Sequence, residues 1–452
     1  MNVPSPKTPR IDWQGACVLV AGLGRFGGGA GAVRYFAERG ARVLVTDMAA
    51  PETLATSLAT LADLEFETVL GEHRREDFER AELVVANPGM RPDHELLTAA
   101  RAAGAVVTSE VELFLERASA PFVAVSGTQG KSSTVTMLAD LLRAAGRRVH
   151  LGGNVGGSLL SALDESPDLF VLELSSYQLE ALGPDVGTRV EARAVALTNV
   201  LADHLERHGS LDRYRSAKAR ILELAQEPTH RFLPVGLFPA RAARRFRAEA
   251  SDEAELTITR GQFRYGTTVL GEVRDLPLPA FQRENALVAL GLAFELGVEA
   301  QTLAATLGTL TAPEHRMQDL EPHRGRRIVD NGVSTTPDST ISALELLPAK
   351  TVLLVGGKAK DLPLDQLVEL AKRRETHVVA FGADGPRLAR VLNEGGARAE
   401  LVVDFDRAVE RAVRRTPIGG TLLFSPACAS FDAFSNFRER ALRFRETLRA
   451  TN

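Results

Sequence analysis

The chain has 452 residues, of which 44% are hydrophobic and 25% are charged, and its formal net charge is −4. This length predicts roughly three domains at about 150 residues each, and the composition is typical of a globular protein with a sizeable core. The small net charge gives no reason to expect a nucleic acid or an anionic membrane surface as a partner. Cys17 and Cys428 lie far apart in apolar contexts, as reduced cytoplasmic thiols do. Since the N-terminus is polar and no run approaches about 20 apolar residues, we expect a cytoplasmic protein without membrane insertion.

Strand-length apolar runs alternate with helix-period stretches in the first part of the chain. The predicted elements are residues 17–21, 30–39, 42–46, 83–86, 93–103 and 105–108. Such alternation favours a parallel sheet with helices on its faces. A break near residues 118–121 ends the pattern, and we therefore predict a Rossmann-like domain over residues 1–118.

The first predicted strand runs into the sequence AGLGRFGGGAG. Gly22, Gly24 and Gly27 spell the G-x-G-x-x-G fingerprint of a dinucleotide-binding turn, and Asp47 ends the next predicted strand. An NAD(P)-dependent oxidoreductase would place that acidic residue on the adenosine ribose. The fingerprint alone does not separate a dinucleotide from another phosphorylated ligand.

The middle of the chain again alternates, with predicted strands at residues 122–125, 169–174 and 194–197. Residues 229–278 look richer in strands, and FRYGTTVLGEV is typical of a hairpin. A helix is predicted over residues 283–296, before Gly297. The pattern predicts a central domain over residues 119–311, built on a parallel sheet like that of P-loop ATPases.

A second glycine-rich loop, SGTQGKSST, lies between the strand at 122–125 and a helix predicted over residues 134–145. Backbone amides and a helix N-terminus neutralise phosphate charge, a following lysine reaches the terminal phosphates, and a hydroxyl ligates Mg²⁺. Lys131 and Ser132 or Ser133 stand in those positions, although the spacing differs from the usual P-loop. The loop therefore predicts an ATP site.

Acidic and basic side chains follow the neighbouring strands. Glu173 interrupts a buried apolar run, which is unfavourable unless the carboxylate is paired or bound to a metal. Asp203, His204 and Lys218 follow the strand at 194–197. Because parallel strands end at the same edge of a sheet, these side chains are candidates for a Mg²⁺ site.

After a second break near residues 311–313, strands are predicted at 328–330, 351–355, 377–381 and 421–424. The alternation predicts a Rossmann-like C-terminal domain over residues 312–452. The overall fold class is therefore α/β with three domains.

Six motifs in chain order resemble those of the Mur ligases of peptidoglycan synthesis. They are GTQGKSS, GGNVGGS, ELSSYQLE, TNVLADHLERHGSLDRYRSAK, EHR and SPACASFDAFSNFRERA. Within that family, ELSSYQLE and SPACASFDAF resemble the MurD type. The resemblance spans the whole chain.

The resemblance implies an ATP-dependent, amide-forming ligase of cytoplasmic peptidoglycan precursor synthesis. Its partners would be UDP-N-acetylmuramoyl-L-alanine, D-glutamate and ATP, with two Mg²⁺ ions and a monomeric chain. The carboxylate of the sugar nucleotide would be activated as an acyl phosphate, which the amine then attacks. Two phosphate cradles would then serve two phosphorylated substrates.

The resemblance also assigns the site residues. The catalytic and metal-binding set is Lys131, Ser132, Ser133, Glu173, His204 and Lys218, the last of which matches the family's carbamylated lysine. The ATP-binding set is Gly127, Thr128, Gln129, Gly130, Lys131, Ser132, Ser133, Asn285, Arg316 and Asn331. The UDP-substrate set is Gly22, Gly24, Arg25, Phe26, Gly27, Asp47, Asn87, Gly89 and Asn154. The amino-acid set is Thr335, Lys360, Ser430 and Phe437.

Two segments depart from the family pattern. FQREN replaces the usual His-Asn-x-x-Asn before Asn285, so that Gln282 supplies an amide there. In VDNGVSTTPDST, Asn331 replaces an acidic residue and Val333 replaces a lysine near the glutamate subsite, where Lys358 or Lys360 would compensate. The lost lysine leaves open a ligase for L-glutamate or another amino acid. A non-catalytic nucleotide-binding regulator is the further alternative.

Overall fold

The computed structural model describes residues 13–24, 27–201, 203, 205–311, 313–359 and 362–451. These residues form three largely parallel sheets with helices between the strands, and the predicted α/β class is confirmed. The chain divides into two compact units, Met1–Thr311 and Ala312–Asn452. The predicted boundary at residues 118–119 falls inside the first unit, and the three-domain limits stay a prediction. Arg25, Phe26, His204 and Lys360 lie outside the described residues.

The first sheet has the order β3-β2-β1-β4-β5, and all its neighbouring strands run parallel. Its strands are β1 (Cys17–Ala21), β2 (Arg42–Asp47), β3 (Glu67–Leu70), β4 (Leu83–Ala86) and β5 (Val106–Thr108). Its helices are α1 (Gly28–Ala37), α2 (Pro51–Ala59), α3 (Arg75–Arg80), α4 (Glu95–Ala102) and α5 (Glu110–Arg117). The sequence did not predict β3, since this edge strand lacks the buried apolar run of β1 and β4.

The second sheet has the order β14-β13-β12-β11-β10-β9-β6-β8-β7. Its strands are β6 (Phe122–Ser126), β7 (Val149–Gly153), β8 (Leu169–Glu173), β9 (Ala194–Leu197), β10 (Arg231–Pro234), β11 (Arg244–Arg247), β12 (Leu256–Thr259), β13 (Gln262–Tyr265) and β14 (Thr268–Glu272). Its helices are α6 (Lys131–Ala144), α7 (Ser176–Glu180), α8 (Val186–Arg189), α9 (Leu205–His208), α10 (Leu211–Ala219), α11 (Arg283–Glu295) and α12 (Ala300–Thr306). The expected hairpin is β13 and β14, which pair antiparallel.

Every residue of strands β6, β8 and β9 is buried. Continuous apolar strands are typical of a parallel sheet covered on both faces. Val125 pairs with Glu173 on one side, and Ser126 pairs with Leu197 on the other. The carboxyl ends of the three strands therefore meet at one edge, where open α/β sheets bind their ligands.

The second unit carries a sheet of order β15-β16-β20-β17-β18-β19, parallel except at β15. Its strands are β15 (Gln318–His323), β16 (Arg326–Asp330), β17 (Thr351–Gly356), β18 (His377–Phe381), β19 (Arg398–Leu401) and β20 (Thr421–Ala427). Its helices are α13 (Pro337–Glu345), α14 (Asp365–Arg373), α15 (Gly385–Glu394), α16 (Phe405–Arg415) and α17 (Phe437–Ala450). The apolar faces of these strands and helices form a core within this unit.

In the first unit, one hydrophobic core joins the faces of the first two sheets. Phe114 of α5 and Phe170 of β8 meet there edge to face, with ring centroids 4.9 Å apart. Across the described part of the chain, no helix combines the length and apolar character needed to span a bilayer.

Candidate active site

The second glycine-rich loop forms a tight turn from β6 into α6, as predicted. Gly127 has φ +151° and Gly130 has φ +83°, and Lys131 begins the helix. A Cβ at Gly130 would lie 2.2 Å from Oδ1 of Asn285, and one at Gly127 would lie 1.9 Å from Oγ1 of Thr198. Both positions therefore require glycine, and the turn leads directly into the N-terminus of α6, where an anion is stabilised.

Thr198 and Asn199 hold this turn from the end of β9, a contact that sequence reasoning missed. Oγ1 of Thr198 donates to the carbonyl of Gln129 at 2.5 Å, and Oδ1 of Asn199 accepts from the amide of Gln129 at 2.9 Å. The amide of Thr128 donates to the carbonyl of Asn199 at 3.0 Å. The signals in the sequence are that both residues directly follow the predicted strand and begin the quoted motif TNVLADHLERHGSLDRYRSAK.

Lys131 and Lys218 converge on the same turn. Nζ of Lys131 donates to the carbonyls of Gly127 and Thr128 at 3.0 and 2.9 Å, and Nζ of Lys218 donates to that of Gly127 at 2.6 Å. Lys218 is 2% exposed and its ammonium lies 4.8 Å from the ring centroid of Tyr214. The two amines converge on one carbonyl, an arrangement that suits the binding of a group with concentrated negative charge.

Burial and, next in size, the positive charge of Lys131 lower the pKa of Lys218 to about 6. The carboxylates of Asp203 and Glu173 act in the opposite sense. Because removing water penalises the charged form, the neutral amine is favoured at pH 7. Burial likewise raises the pKa of the Tyr214 phenol, whose hydroxyl lies 3.0 Å from Oγ1 of Thr128.

Glu173 ends β8 inside the fold, where it is 1% exposed. Its Oε1 accepts from Nδ2 of Asn154 at 2.8 Å, while its Oε2 is buried without a hydrogen-bond partner among the described residues. Oγ of Ser133, at the start of α6, is also buried without a hydrogen-bond partner among the described residues. Hard oxygen donors of this kind are ligands that Mg²⁺ prefers, and the residues fit such an ion. Within the described ranges, no three His, Cys, Asp or Glu side chains cluster as a metal site of their own.

A cavity of roughly 210 Å³ lies at the carboxyl edge of the second sheet, and Glu173 adjoins it through its hydrogen bond with Asn154. It is lined by Thr128, Lys131, Asn154, Ser175, Ser176, Tyr177, Asp203, Tyr214 and Lys218. Lys131, Asn154 and Lys218 are brought together as predicted from the motifs. Ser175, Tyr177 and Tyr214 were not assigned a role, although they lie within the quoted motifs.

Asn285 lies beside the phosphate turn near the start of α11. Its Nδ2 donates to Oε1 of Gln282 at 2.8 Å. Gln282 is 1% exposed, and its Nε2 is a buried donor without a partner in the described part of the chain. An amide donor with no acceptor suits a ligand heteroatom next to the turn.

The first glycine-rich loop also has the expected turn, with positive φ at Gly22, Gly24 and Gly27. Oδ2 of Asp47 accepts from the amide of Gly24 at 3.0 Å, so that this carboxylate braces the turn. Asn87, after β4, donates from Nδ2 to the carbonyl of Gly22 at 3.3 Å. The structure thus brings these predicted residues to the carboxyl edge of the first sheet.

Arg316 and Asn331 lie on adjacent loops of the second unit. Asn331 is 3% exposed; its Nδ2 donates to Oγ of Ser425 at 3.0 Å and its Oδ1 accepts from the amide of Met317 at 3.2 Å. The preceding residue, Asp330, is buried, and its Oδ2 accepts from Nε of Arg445 at 2.8 Å. The carboxylate of Asp330 is thus engaged in an internal ion pair.

Lys358 and Ser430 are neighbours through a backbone bridge, since Lys358 and Ala429 exchange amide-to-carbonyl bonds of 2.9 Å in both directions. Ser430 is 2% exposed, whereas Phe437, at the start of α17, is 38% exposed. Thr335 lies in the loop before α13 and is half-buried.

Two family models match the chain: the Mur ligase middle domain over residues 125–262 and the Mur ligase MurD-like N-terminal domain over residues 16–109. The UDP-N-acetylmuramoylalanine–D-glutamate ligase of Trichlorobacter lovleyi is 35% identical over 92% of this chain and 95% of its own length. The enzyme of that name from Roseiflexus sp. is 34% identical over 95% and 98%.

Solved structures share the fold. The UDP-N-acetylmuramate–alanine ligase MurC of Thermotoga maritima matches with a TM-score of 0.62 and 18% identity, over 96% of this chain and 100% of that one. MurF from Acinetobacter baumannii matches with a TM-score of 0.58 and 16% identity, over 97% and 90%. With relatives above 30% identity over nearly their whole length, and with the predicted motifs in place, the chain belongs to the Mur ligase family.

Proposed function

We propose that this protein joins D-glutamate to UDP-N-acetylmuramoyl-L-alanine and converts ATP to ADP and phosphate. The observation that carries the proposal is the cavity lined by Thr128 and Lys131 of the phosphate turn, by the buried Lys218 and by Asn154, to which Glu173 is hydrogen-bonded. An oxidoreductase has no use for that combination, and a non-catalytic regulator would be expected to have lost part of it. The curated relatives that match nearly the whole chain are named for this reaction.

A carboxylate does not form an amide in water unless it is activated. In the proposed reaction, an oxygen of the L-alanyl carboxylate attacks the γ-phosphorus of ATP, and ADP leaves. The amine of glutamate then attacks the acyl carbon, phosphate leaves and the amine gives up a proton. The N-terminus of α6 and the ammonium of Lys131 would stabilise the phosphate charge, and Asn154 would orient the acyl end.

Two Mg²⁺ ions are part of the proposal. Ser132, Ser133, Glu173, His204 and Lys218 would hold them, and the buried, unpartnered oxygens of Glu173 and Ser133 support the assignment. Bound there, the ions would neutralise charge on the phosphates and on the attacked carboxylate.

A carbamylated Lys218 would supply one of the metal-binding carboxylates. Only a neutral amine adds to CO₂, losing a proton as it forms the carbamate, and the lowered pKa of Lys218 provides that neutral amine at pH 7. Wild-type activity should then fall in CO₂-free buffer. Lys218→Ala should be inactive and partly rescued by short-chain carboxylates or halide.

The second unit would bind glutamate and the ribose side of ATP. Thr335, Lys360, Ser430 and Phe437 are proposed for the amino acid, with Lys358 beside Ser430, and Arg316 and Asn331 for ATP. Each carboxylate of a dicarboxylic substrate needs a cationic or multiple-donor partner. Val333 in place of the family's lysine removes one such partner, so that L-glutamate or another amino acid is the second candidate substrate.

The sugar nucleotide would bind at the first glycine turn, with Gly22, Gly24, Arg25, Phe26 and Gly27 at the diphosphate. Asp47, Asn87 and Gly89 would complete this site. Residues 1–118, 119–311 and 312–452 would be the sugar-nucleotide, ATP and amino-acid domains of a cytoplasmic monomer.

The test is phosphate release by the full chain with UDP-N-acetylmuramoyl-L-alanine, ATP and Mg²⁺ across D- and L-amino acids. We expect D-glutamate to give the fastest release and the coupled product. Lys131→Ala should abolish phosphate release while leaving the sugar nucleotide bound, because the proposed sugar-nucleotide site lies on the first sheet and Lys131 lies on the second. Faster turnover with L-glutamate would keep the ligase class and overturn the D-glutamate assignment.

A further inference from the structure

Residues 87–90, here called the sugar-nucleotide loop, are held by a side chain that sequence reasoning assigned no role. Arg207, in α9, donates from Nη1 to the carbonyl of Gly89 at 3.1 Å. Its Nη2 donates to the carbonyls of Pro88 at 3.2 Å and Met90 at 3.4 Å. One planar guanidinium thus spans three consecutive carbonyls, which a lysine ammonium with its single nitrogen does not match.

Arg207 is itself fixed from the side of the second sheet. Its Nη2 lies 3.0 Å from Oε2 of Glu180, and its guanidinium carbon lies 5.1 Å from the ring centroid of Tyr177. Only 10% of its side chain is exposed. Both partners belong to α7, the helix that begins just after the metal candidate Glu173.

The neighbouring His208 strengthens the same attachment. Its Nε2 lies 3.1 Å from Oγ of Ser176, and its Nδ1 lies 3.6 Å from Oε1 of Glu180. The short helix α9 is therefore fastened to α7 by two consecutive side chains. Arg207 therefore contacts α7 on one side and the sugar-nucleotide loop on the other.

The other side of the sugar-nucleotide loop is tied to the first glycine turn. Asn87 donates from Nδ2 to the carbonyl of Gly22, and its Oδ1 accepts from the amide of Gly89 at 2.9 Å. A Cβ at Gly22 would lie only 2.6 Å from Cβ of Asn87. The loop is thus fixed between the glycine turn and Arg207.

We propose that Arg207 is a positioning residue that pre-orders residues 87–90 for the sugar nucleotide. The inference rests on the proposed function, since it assumes that the loop contacts that substrate. Ordering a loop before binding removes an entropy loss that would otherwise weaken binding. Arg207 need not touch the substrate to act in this way.

The first measurement is calorimetric binding of UDP-N-acetylmuramoyl-L-alanine to the full-length wild type, Arg207→Met and Arg207→Lys. We expect Kd and KM for the sugar nucleotide to rise at least tenfold in Arg207→Met and less in Arg207→Lys, which keeps the charge but not the fork. KM for ATP should stay within twofold, and kcat at saturating sugar nucleotide within threefold. Arg215→Met is the matched control, because that α10 arginine is 47% exposed and pairs only loosely with Asp212 at 3.9 Å.

The second measurement is amide hydrogen exchange of residues 87–90 without substrate, which does not depend on the reaction. Exchange should accelerate in Arg207→Met, and bound sugar nucleotide should reverse the effect. Unchanged exchange and Kd, or an equal loss of ATP affinity, would overturn the positioning role; should Arg207→Met not fold, Arg207→Lys decides by the same criteria. A wild type that binds the sugar nucleotide but ligates no amino acid would contradict the proposed function alone.

Discussion

The surroundings of the Lys218 amine lower its pKa to about 6. Burial is the largest effect on its pKa and the neighbouring ammonium of Lys131 is the next, while Asp203 and Glu173 only partly offset them. An unfolded chain would expose the amine and restore its ordinary pKa of 10.5. The folded chain therefore binds fewer protons than the unfolded one between about pH 6 and pH 10.5.

The free energy of unfolding should consequently rise with pH across this window, because the unfolded state must take up a proton that the folded state lacks. The slope from this one group is at most about 1.4 kcal/mol per pH unit. The measurement is urea unfolding of wild type and Lys218→Met between pH 6 and pH 9 in CO₂-free buffer. Wild type should be the less stable of the two at pH 6.5, and the gap should narrow as the pH increases.

Lys372→Met serves as the control for this pH series, since that lysine is exposed near the end of α14. Its stability difference from wild type should not change with pH over the same range. A Lys218→Met difference that is flat with pH would mean that the amine keeps its proton in the fold.

Helix α1 shows how tightly an element is fitted to the turn that it follows. A Cβ at Gly29 would lie 2.2 Å from the carbonyl oxygen of Leu23 and 2.6 Å from that of Gly22. These are backbone atoms of the first glycine turn, which cannot swing aside as a side chain can. The helix and the turn therefore keep their relative position only with glycine there.

Gly29→Ala should weaken binding of the sugar nucleotide while sparing ATP. Overpacking of this kind costs about 1–3 kcal/mol of folding stability. When the turn relieves this strain by leaving its binding geometry, at most the same free energy is lost from binding, which is a Kd increase of up to roughly 150-fold. Calorimetry with UDP-N-acetylmuramoyl-L-alanine and with a non-hydrolysable ATP analogue separates the two effects. Gly308→Ala is the control, because a Cβ there meets only the carbonyl oxygen of Asp275 at 3.8 Å; equal losses in both variants would argue against the fit of α1.

Local patterns predicted the elements that are buried on both faces. Strands β6, β8 and β9 are continuous apolar runs, and the phosphate turn between β6 and α6 carries its glycines, lysine and hydroxyls in one short segment. The contacts that fasten these elements were not predictable, since Thr198 reaches a carbonyl 69 residues away and Arg207 reaches carbonyls more than 100 residues away. Side chains of this kind carry no local signature, because their partners are backbone atoms that every residue has.

The two compact units differ in their hydrophobic cores: the first unit has a core shared by two sheets, whereas the second has a core around its single sheet. Residues 312–452 have a core of their own, in which the rings of Phe424 and Phe444 stack with centroids 4.4 Å apart. In the first unit, the side chains of α5 pack against the second sheet. Arg189 forms ion pairs with Glu112 and Glu116, and Oγ of Ser158 donates to Glu110 at 2.5 Å.

Cutting the chain should therefore have opposite outcomes at the two predicted domain boundaries. A fragment of residues 312–452 should fold and unfold cooperatively, because its core is complete. A fragment of residues 1–118 should not, because it would expose Phe114 and leave the buried carboxylate Glu112 and the half-buried Glu116 without Arg189. Circular dichroism in urea and calorimetry of the purified fragments measure both.

The partner fragment of residues 1–311 should bind the ATP analogue and the sugar nucleotide but release no phosphate with D-glutamate until residues 312–452 are added. Cooperative folding of residues 1–118 alone would show that the shared core is dispensable, and ligation by residues 1–311 alone would place the amino-acid site on the first unit.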